Sequence, residues 1–102
     1  MATALITGAS QGIGACIAER LAKDGYNIAI NHYPSDVDKA NAEKVAETCR
    51  SYGVEVALFP ANVADYAQCE EMVKAVKKQF GSIDALVNNA GITKDGLLLR
   101  MS

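Results

Sequence analysis

The 102-residue chain has no tryptophan, two phenylalanines and four tyrosines, and its ten Lys and Arg are outnumbered by twelve Asp and Glu. With no basic stripe and few rings to stack on bases, a nucleic-acid surface is not expected. No apolar run approaches the roughly 20 residues of a membrane span. The first residues do not form a basic segment followed by an apolar one and a cleavage site. The expectation is a soluble, cytoplasmic protein with neither nucleic acid nor membrane as partner. Three cysteines, Cys16, Cys49 and Cys69, are odd in number and widely spaced. That pattern fits no disulfide framework and no zinc site, so no metal is expected. All three fall in predicted helices and read as small apolar residues on or near helix core faces.

Half of the residues are apolar, which fits one small globular domain with a core of its own. The length is short for an enzyme that must hold both a cofactor and a substrate. The stretch Thr7-Gly8-Ala9-Ser10-Gln11-Gly12-Ile13-Gly14 organises the rest. Before it, Ala2 to Thr7 is an apolar, β-capable run; after it, Ile13, Ile17, Ala18, Leu21 and Ala22 recur with helical spacing. Gly8 can take a positive φ as the chain leaves the strand, Gly12 lets backbone approach a ligand, and Gly14 allows close helix packing. The free N–H groups of the helix's first turn and the positive end of its dipole then point at one place, which suits a phosphate. The spacing G-x-x-x-G-x-G is neither the common G-x-G-x-x-G fingerprint nor a P-loop, whose Lys-Ser/Thr is missing.

Asp24-Gly25 closes the first helix, and Asn27 to Asn31 is a second strand whose centre, Ile28-Ala29-Ile30, shows no polar alternation. A parallel strand covered on both faces has that pattern. Ser35 with Asp38 resembles a capping box, and a helix is expected from about Asp36 to Tyr52 with Ala42, Val45, Ala46 and Cys49 on one face. Val54 to Phe59 is a third strand stopped by Pro60. Asp65 with Gln68 starts a third helix, in which Cys69, Met72, Val73, Val76 and Phe80 keep a 3.6-residue period to Gly81. These Met and aromatic positions read as core. Asp84 to Asn88 is a fourth strand.

The order βαβαβαβ implies an α/β, Rossmann-like doubly wound parallel sheet with strand order 3-2-1-4. Ligands of such sheets bind where the strand order reverses, above the carboxyl ends of the strands. The glycine loop, Asn62-Val63 and Asn88-Asn89-Ala90-Gly91 converge there, and the loop after the second strand lies to one side, within reach of a ribose.

Thr7-Gly8-x-x-x-Gly12-x-Gly14, Asn62-Val63, Asn88-Asn89-Ala90-Gly91 and Ile92-Thr93-Lys94-Asp95-Gly96 together resemble the short-chain dehydrogenase/reductase family. Asn88 to Ser102 looks most like the bacterial 3-oxoacyl-acyl-carrier-protein reductases, and the resemblance covers the whole chain. It implies that Gly8, Ser10, Gln11, Gly12, Ile13 and Gly14 line the phosphates of a dinucleotide. Asn62 and Val63 would hold the adenine, the Asn62 amide oxygen accepting from its amino group. Asn89, Ala90 and Gly91 would border the ribose and nicotinamide, Asn89 having a purely structural role as its alternative; Asn88 reads as structural. NAD-binding relatives place an acid at the end of the second strand, where this chain has Asn31-His32-Tyr33. NADP(H) is therefore expected rather than NAD(H), with His32 or Tyr33 near the 2′-phosphate. The alternative for His32 is an exposed loop residue that touches nothing.

In the family the chemistry belongs to a serine, a tyrosine and a lysine four residues after that tyrosine, the tyrosine giving a proton to the carbonyl. No Tyr-x-x-x-Lys follows the Asn-Asn-Ala-Gly motif here, and Ser102 looks like the N-cap of a further helix. Residues 1–102 are thus expected to be the amino-terminal cofactor-binding part of an NADPH-dependent reductase of 3-oxoacyl thioesters in fatty-acid synthesis. Without the catalytic second half the chain would be inactive alone. Full-length relatives are homo-oligomers. The alternative is a stand-alone, non-catalytic nucleotide-binding or interaction module, against which stands the fourth strand, whose apolar edge would be left open. A phosphate-accepting receiver of the same layering would need clustered acids after the first strand, where glycines stand. The apolar run Leu97, Leu98, Leu99 and Met101 reads equally as substrate contact or packing.

Overall fold

The computed structural model describes residues 2–89 and the backbone of 98–99. The elements are β1 (Thr3–Ile6), α1 (Gly12–Lys23), β2 (Asn27–His32), α2 (Asp36–Arg50), β3 (Val56–Pro60), α3 (Tyr66–Phe80), β4 (Ala85–Val87) and β5 (Leu98–Leu99). They form one sheet in the order β3-β2-β1-β4-β5. The first four strands are parallel, with Leu5 opposite Ala29 and Leu86, and β5 is antiparallel to β4.

Both faces of the sheet are covered, and a two-residue period sorts its side chains between them. Ala4, Ile6, Ile28 and Ile30 pack with Ala18 and Ala22 of α1 and with Val45 and Cys49 of α2. Leu5, Ala29 and Phe59 pack on the other face with Met72 and Val76 of α3. This explains why the strands read as unbroken apolar runs. Each of Leu5, Ile6, Ile28 and Ile30 is fully buried, a contribution of about 1.5–3 kcal/mol apiece.

Local chemistry sets the helix starts. The Ser35 hydroxyl accepts from Asp38 N–H at the head of α2, and the Asp65 carboxylate accepts from Ala67 and Gln68 N–H at the head of α3. The second half of a capping box is missing at α2, because the Asp38 carboxylate does not turn back to Ser35.

Several details differ from the sequence reading, among them the end of β2, which runs through His32 rather than stopping at Asn31. Ile13 is 72% exposed, and the buried place on that face of α1 goes to Gly14. Cys16 is exposed as well, whereas Cys49 is buried and Cys69 half-buried. Pro60 belongs to β3 as its last residue; β3 is an edge strand, where a missing N–H costs no ladder bond. The side of β4 away from β1 pairs with β5 through Leu86 opposite Leu99 and Val87 opposite Leu98. Two residues are too short a run to show a strand period in sequence. The structure of residues 90–97 and 100–102, including Ala90, Gly91, Leu97, Met101 and the Ser102 cap, lies outside the described residues.

Candidate functional site

Above the carboxyl ends of β1, β2, β3 and β4 lies a cleft of about 430 Å³. Its floor is the glycine loop. Gly8 and Gly12 both have φ of +63°, a conformation that costs an L residue about 1–2 kcal/mol. Gly14 fills a third role, since a Cβ there would lie 2.5 Å from Gly8 O, 2.6 Å from Asn89 Nδ2 and 3.0 Å from Ala9 Cα. The absent side chain thus lets α1 lie against the loop itself, a closer fit than the helix-on-sheet packing expected from sequence.

Asn31, buried at the end of β2, ties this loop to its neighbours. Its Oδ1 accepts from Gly8 N–H at 3.0 Å, its Nδ2 donates to Phe59 O at 3.1 Å and Ala61 O at 3.2 Å, and its carbonyl accepts from Ala9 N–H. From β4, Asn89 N–H donates to Thr7 Oγ1, and Asn89 Nδ2 donates to Gly8 O at 3.2 Å. The Thr7 hydroxyl donates to Asn88 Oδ1 at 3.2 Å. The loop is therefore anchored from both sides before any ligand arrives.

At the head of α1 the backbone is left open. Gln11 occupies the N-cap position, no side chain among the described residues caps the helix, and its first turn carries no acid. Both other helices have side-chain caps. Uncapped N–H groups at the head of a helix, next to a glycine loop, are suited to an anion.

Of the residues expected to bind cofactor, Gly8, Ser10, Gln11, Tyr33, Asn62, Val63 and Asn89 line this one cleft. Gly12 and Ile13 stand at the head of α1, where they border a separate, apolar concavity along its outer face with Cys16 and Leu21. That surface is larger, about 730 Å³, and is bordered mainly by apolar side chains with Glu19 and Arg20. Gly14 lies beneath the loop. His32 points elsewhere: it is buried, its Nδ1 lies 2.8 Å from Tyr33 O, and it lines a different pocket with Ser35, Lys39 and Leu58. Strand alternation puts it on the face of Ile28 and Ile30, opposite to Asn31.

Asn62 makes an Asx turn, its Oδ1 accepting from Ala64 N–H at 3.0 Å while its own N–H donates to Gln68 Oε1 at 2.7 Å. A second lone pair on Oδ1 stays available to a purine amine. Cys69 donates to Val63 O at 3.3 Å, and burial raises its thiol above the ordinary range. Burial likewise pushes Cys49 up to about 11. Neither residue lines the cleft. Among the described residues no cluster of His, Cys, Asp or Glu could hold a metal, and no helix is long and apolar enough to cross a membrane.

One lining residue escaped the sequence reading. Asp38, in the first turn of α2, accepts from Ser10 Oγ at 2.6 Å through Oδ1 and from Tyr33 N–H at 2.6 Å through Oδ2.

A family model described as short chain dehydrogenase matches residues 2–102. The chain belongs to the short-chain dehydrogenase family. The family's fold accounts for the sheet order and for the loop-to-helix turn at its centre. The 3-oxoacyl-acyl-carrier-protein reductase FabG of Staphylococcus epidermidis is 54% identical over 99 residues, covering 97% of this chain and 39% of that protein. An acetoacetyl-CoA reductase of Allochromatium vinosum is 41% identical over 98 residues, or 96% of this chain and 39% of the relative. Among solved structures, a short chain dehydrogenase from Burkholderia cenocepacia in complex with NADP superposes with a TM-score of 0.81 at 41% identity, covering 89% of this chain and 36% of that one. The chain thus spans well under half the length of the relatives it matches, and its likeness is to their amino-terminal part.

Proposed function

We infer that residues 1–102 supply the dinucleotide site of an NADP(H)-dependent short-chain reductase. The observation that carries this reading is the uncapped head of α1, whose N-cap residue Gln11 shares one cleft with Gly8 and Ser10 of the anchored glycine loop and with Asn62, Val63 and Asn89. Gly8, Ser10, Gln11, Gly12, Ile13 and Gly14 would take the diphosphate through backbone N–H groups and the helix dipole. Asn62 and Val63 would take the adenine, and Asn89 with Ala90 and Gly91 the nicotinamide side. Tyr33 and the backbone around it would take the adenosine ribose; His32 supports the turn beneath. Bound NADPH would supply a hydride to a carbonyl carbon, with proton transfer assigned to a portion of the relatives' length that this chain does not span. The likeness to FabG and to the NADP-bound dehydrogenase supports a 3-oxoacyl thioester as substrate and NADP(H) over NAD(H).

Thermal unfolding of the chain with and without NADPH tests this. At a hundredfold excess over Kd, binding to the folded state adds about 2.7 kcal/mol, which raises Tm by about 10–20 °C for a domain of this size. An unchanged Tm at millimolar NADPH would refute the reading.

A further inference from the structure

We propose that Gln68 is a positioning residue that holds the Asn62 amide in the one orientation that selects a 6-aminopurine over a 6-oxopurine. This rests on the adenine position assigned above. Gln68 is the third residue of α3, where a glutamine ordinarily reaches back to the N–H of the N-cap residue and completes a capping box. Here it does something else. The N–H of the N-cap residue Asp65 is taken by Asn62 O at 2.9 Å, and Gln68 Oε1 accepts instead from Asn62 N–H at 2.7 Å. Gln68 Nε2 donates to Asp65 Oδ2 at 3.2 Å, so its own amide cannot turn over without setting N–H against N–H and oxygen against oxygen. Gln68 is exposed and borders a separate pocket with Phe59, Met72 and Ala75. It therefore reaches the cleft only through Asn62.

Asn62 is thereby held by Gln68 at its N–H, by Asp65 N–H at its carbonyl and by Ala64 N–H at Oδ1. With Oδ1 committed to this turn, the side chain offers a purine an acceptor. A 6-amino group donates to it as it stands. A 6-oxo group would set oxygen against oxygen unless the amide turned over, which forfeits the Ala64 bond. Selection of this kind lasts only while the polar groups of the site cannot rearrange. Without the Gln68 acceptor the Asn62 N–H turns to solvent, the turn loosens, and the amide is free to offer either end.

The experiment is calorimetric titration of the chain, of Gln68→Met and of Gln68→Glu with NADP⁺ and with nicotinamide hypoxanthine dinucleotide phosphate, which carries an oxo group in place of the adenine amino group. Methionine keeps the length of the side chain without its acceptor; glutamate keeps the acceptor. The ratio of dissociation constants, hypoxanthine over adenine, is expected to exceed one in the unsubstituted chain and to fall about fivefold in Gln68→Met. It should return towards the parental value in Gln68→Glu. An unchanged ratio in Gln68→Met, or an equal fall in both variants, overturns the role of Gln68 and leaves the site assignment intact. Equal affinity of the unsubstituted chain for the two probes overturns that role as well. Failure of the unsubstituted chain to bind either probe overturns the site assignment and this inference with it. Should Gln68→Met fail to fold, hydrogen exchange in the unsubstituted chain decides the matter: the Asn62 amide must be protected, and exchange at the rate of an open loop amide would contradict the proposal.

Discussion

Gly14→Ala is expected to destabilise the chain by about 2 kcal/mol and to weaken dinucleotide binding about a hundredfold, although alanine is the better helix former. Helix propensity alone favours the substitution by about 1 kcal/mol. The added methyl, however, would sit 2.5 Å from Gly8 O and 2.6 Å from Asn89 Nδ2, inside van der Waals contact with the two groups that bond to one another across the loop. Neither is the end of a long, yielding side chain. Either α1 moves off the loop or the Asn89 bond breaks, and both displace the N–H groups at the head of α1. Gly12→Ala separates clash from backbone strain, because nothing lies within 4 Å of a Cβ there while φ is +63°; it should cost only about 1–2 kcal/mol of strain. Chemical denaturation of the two variants beside an NADPH titration of Gly14→Ala checks the comparison. A Gly14→Ala chain more stable than the parent would show that the close approach does not exist.

The second large effect is expected at Asn31. Asn31→Ala strips an acceptor from Gly8 N–H and donors from Phe59 O and Ala61 O. Leaving buried backbone groups unpaired costs about 1–3 kcal/mol each, and part of that is recovered where cleft water reaches them. A net loss of about 3 kcal/mol, or about 15 °C in Tm, follows for this buried polar side chain. An ordinary surface asparagine would lose about 0.5 kcal/mol, so a melting curve distinguishes the two cases plainly. The loop should also lose order, visible as faster hydrogen exchange at the Gly8 amide.

The fold was legible because its signals are local. Ile28-Ala29-Ile30 announces a strand covered on both sides, Asp65 with Gln68 announces a helix start, and the glycine spacing between β1 and α1 announces a turn free of side chains. Ala42, Val45, Ala46 and Cys49 were readable as one buried face and are all buried. What escaped is long-range or too short. Asp38 has a local reading as half of a capping box, yet its carboxylate reaches Ser10, 28 residues away. Nothing in the spacing of Ser35 and Asp38 carries that contact. Asn31 looked like the absence of an acid, and its bonds to Gly8, Phe59 and Ala61 depend on three strands being side by side. The turn of His32 away from the cleft was available in principle, because β2 runs through His32 and alternation then opposes it to Asn31. Ending the strand at Asn31 hid it. Ile13 followed the 3.6-residue pattern and still faces out, since α1 comes so close to the loop that only glycine fits the buried position beside it.

The central claim is that the groups left open at the head of α1 are the phosphate site of a dinucleotide cleft. The most direct measurement is an amide correlation spectrum of the ¹⁵N-labelled chain during titration with NADP⁺. The account predicts the largest shifts at Gly8, Ser10, Gln11, Gly12, Ile13 and Gly14, with further shifts at Val63 and Asn89, and little change at Glu19 and Arg20 on the outer face of α1. Shifts concentrated on that outer face, or none at millimolar NADP⁺, would contradict it.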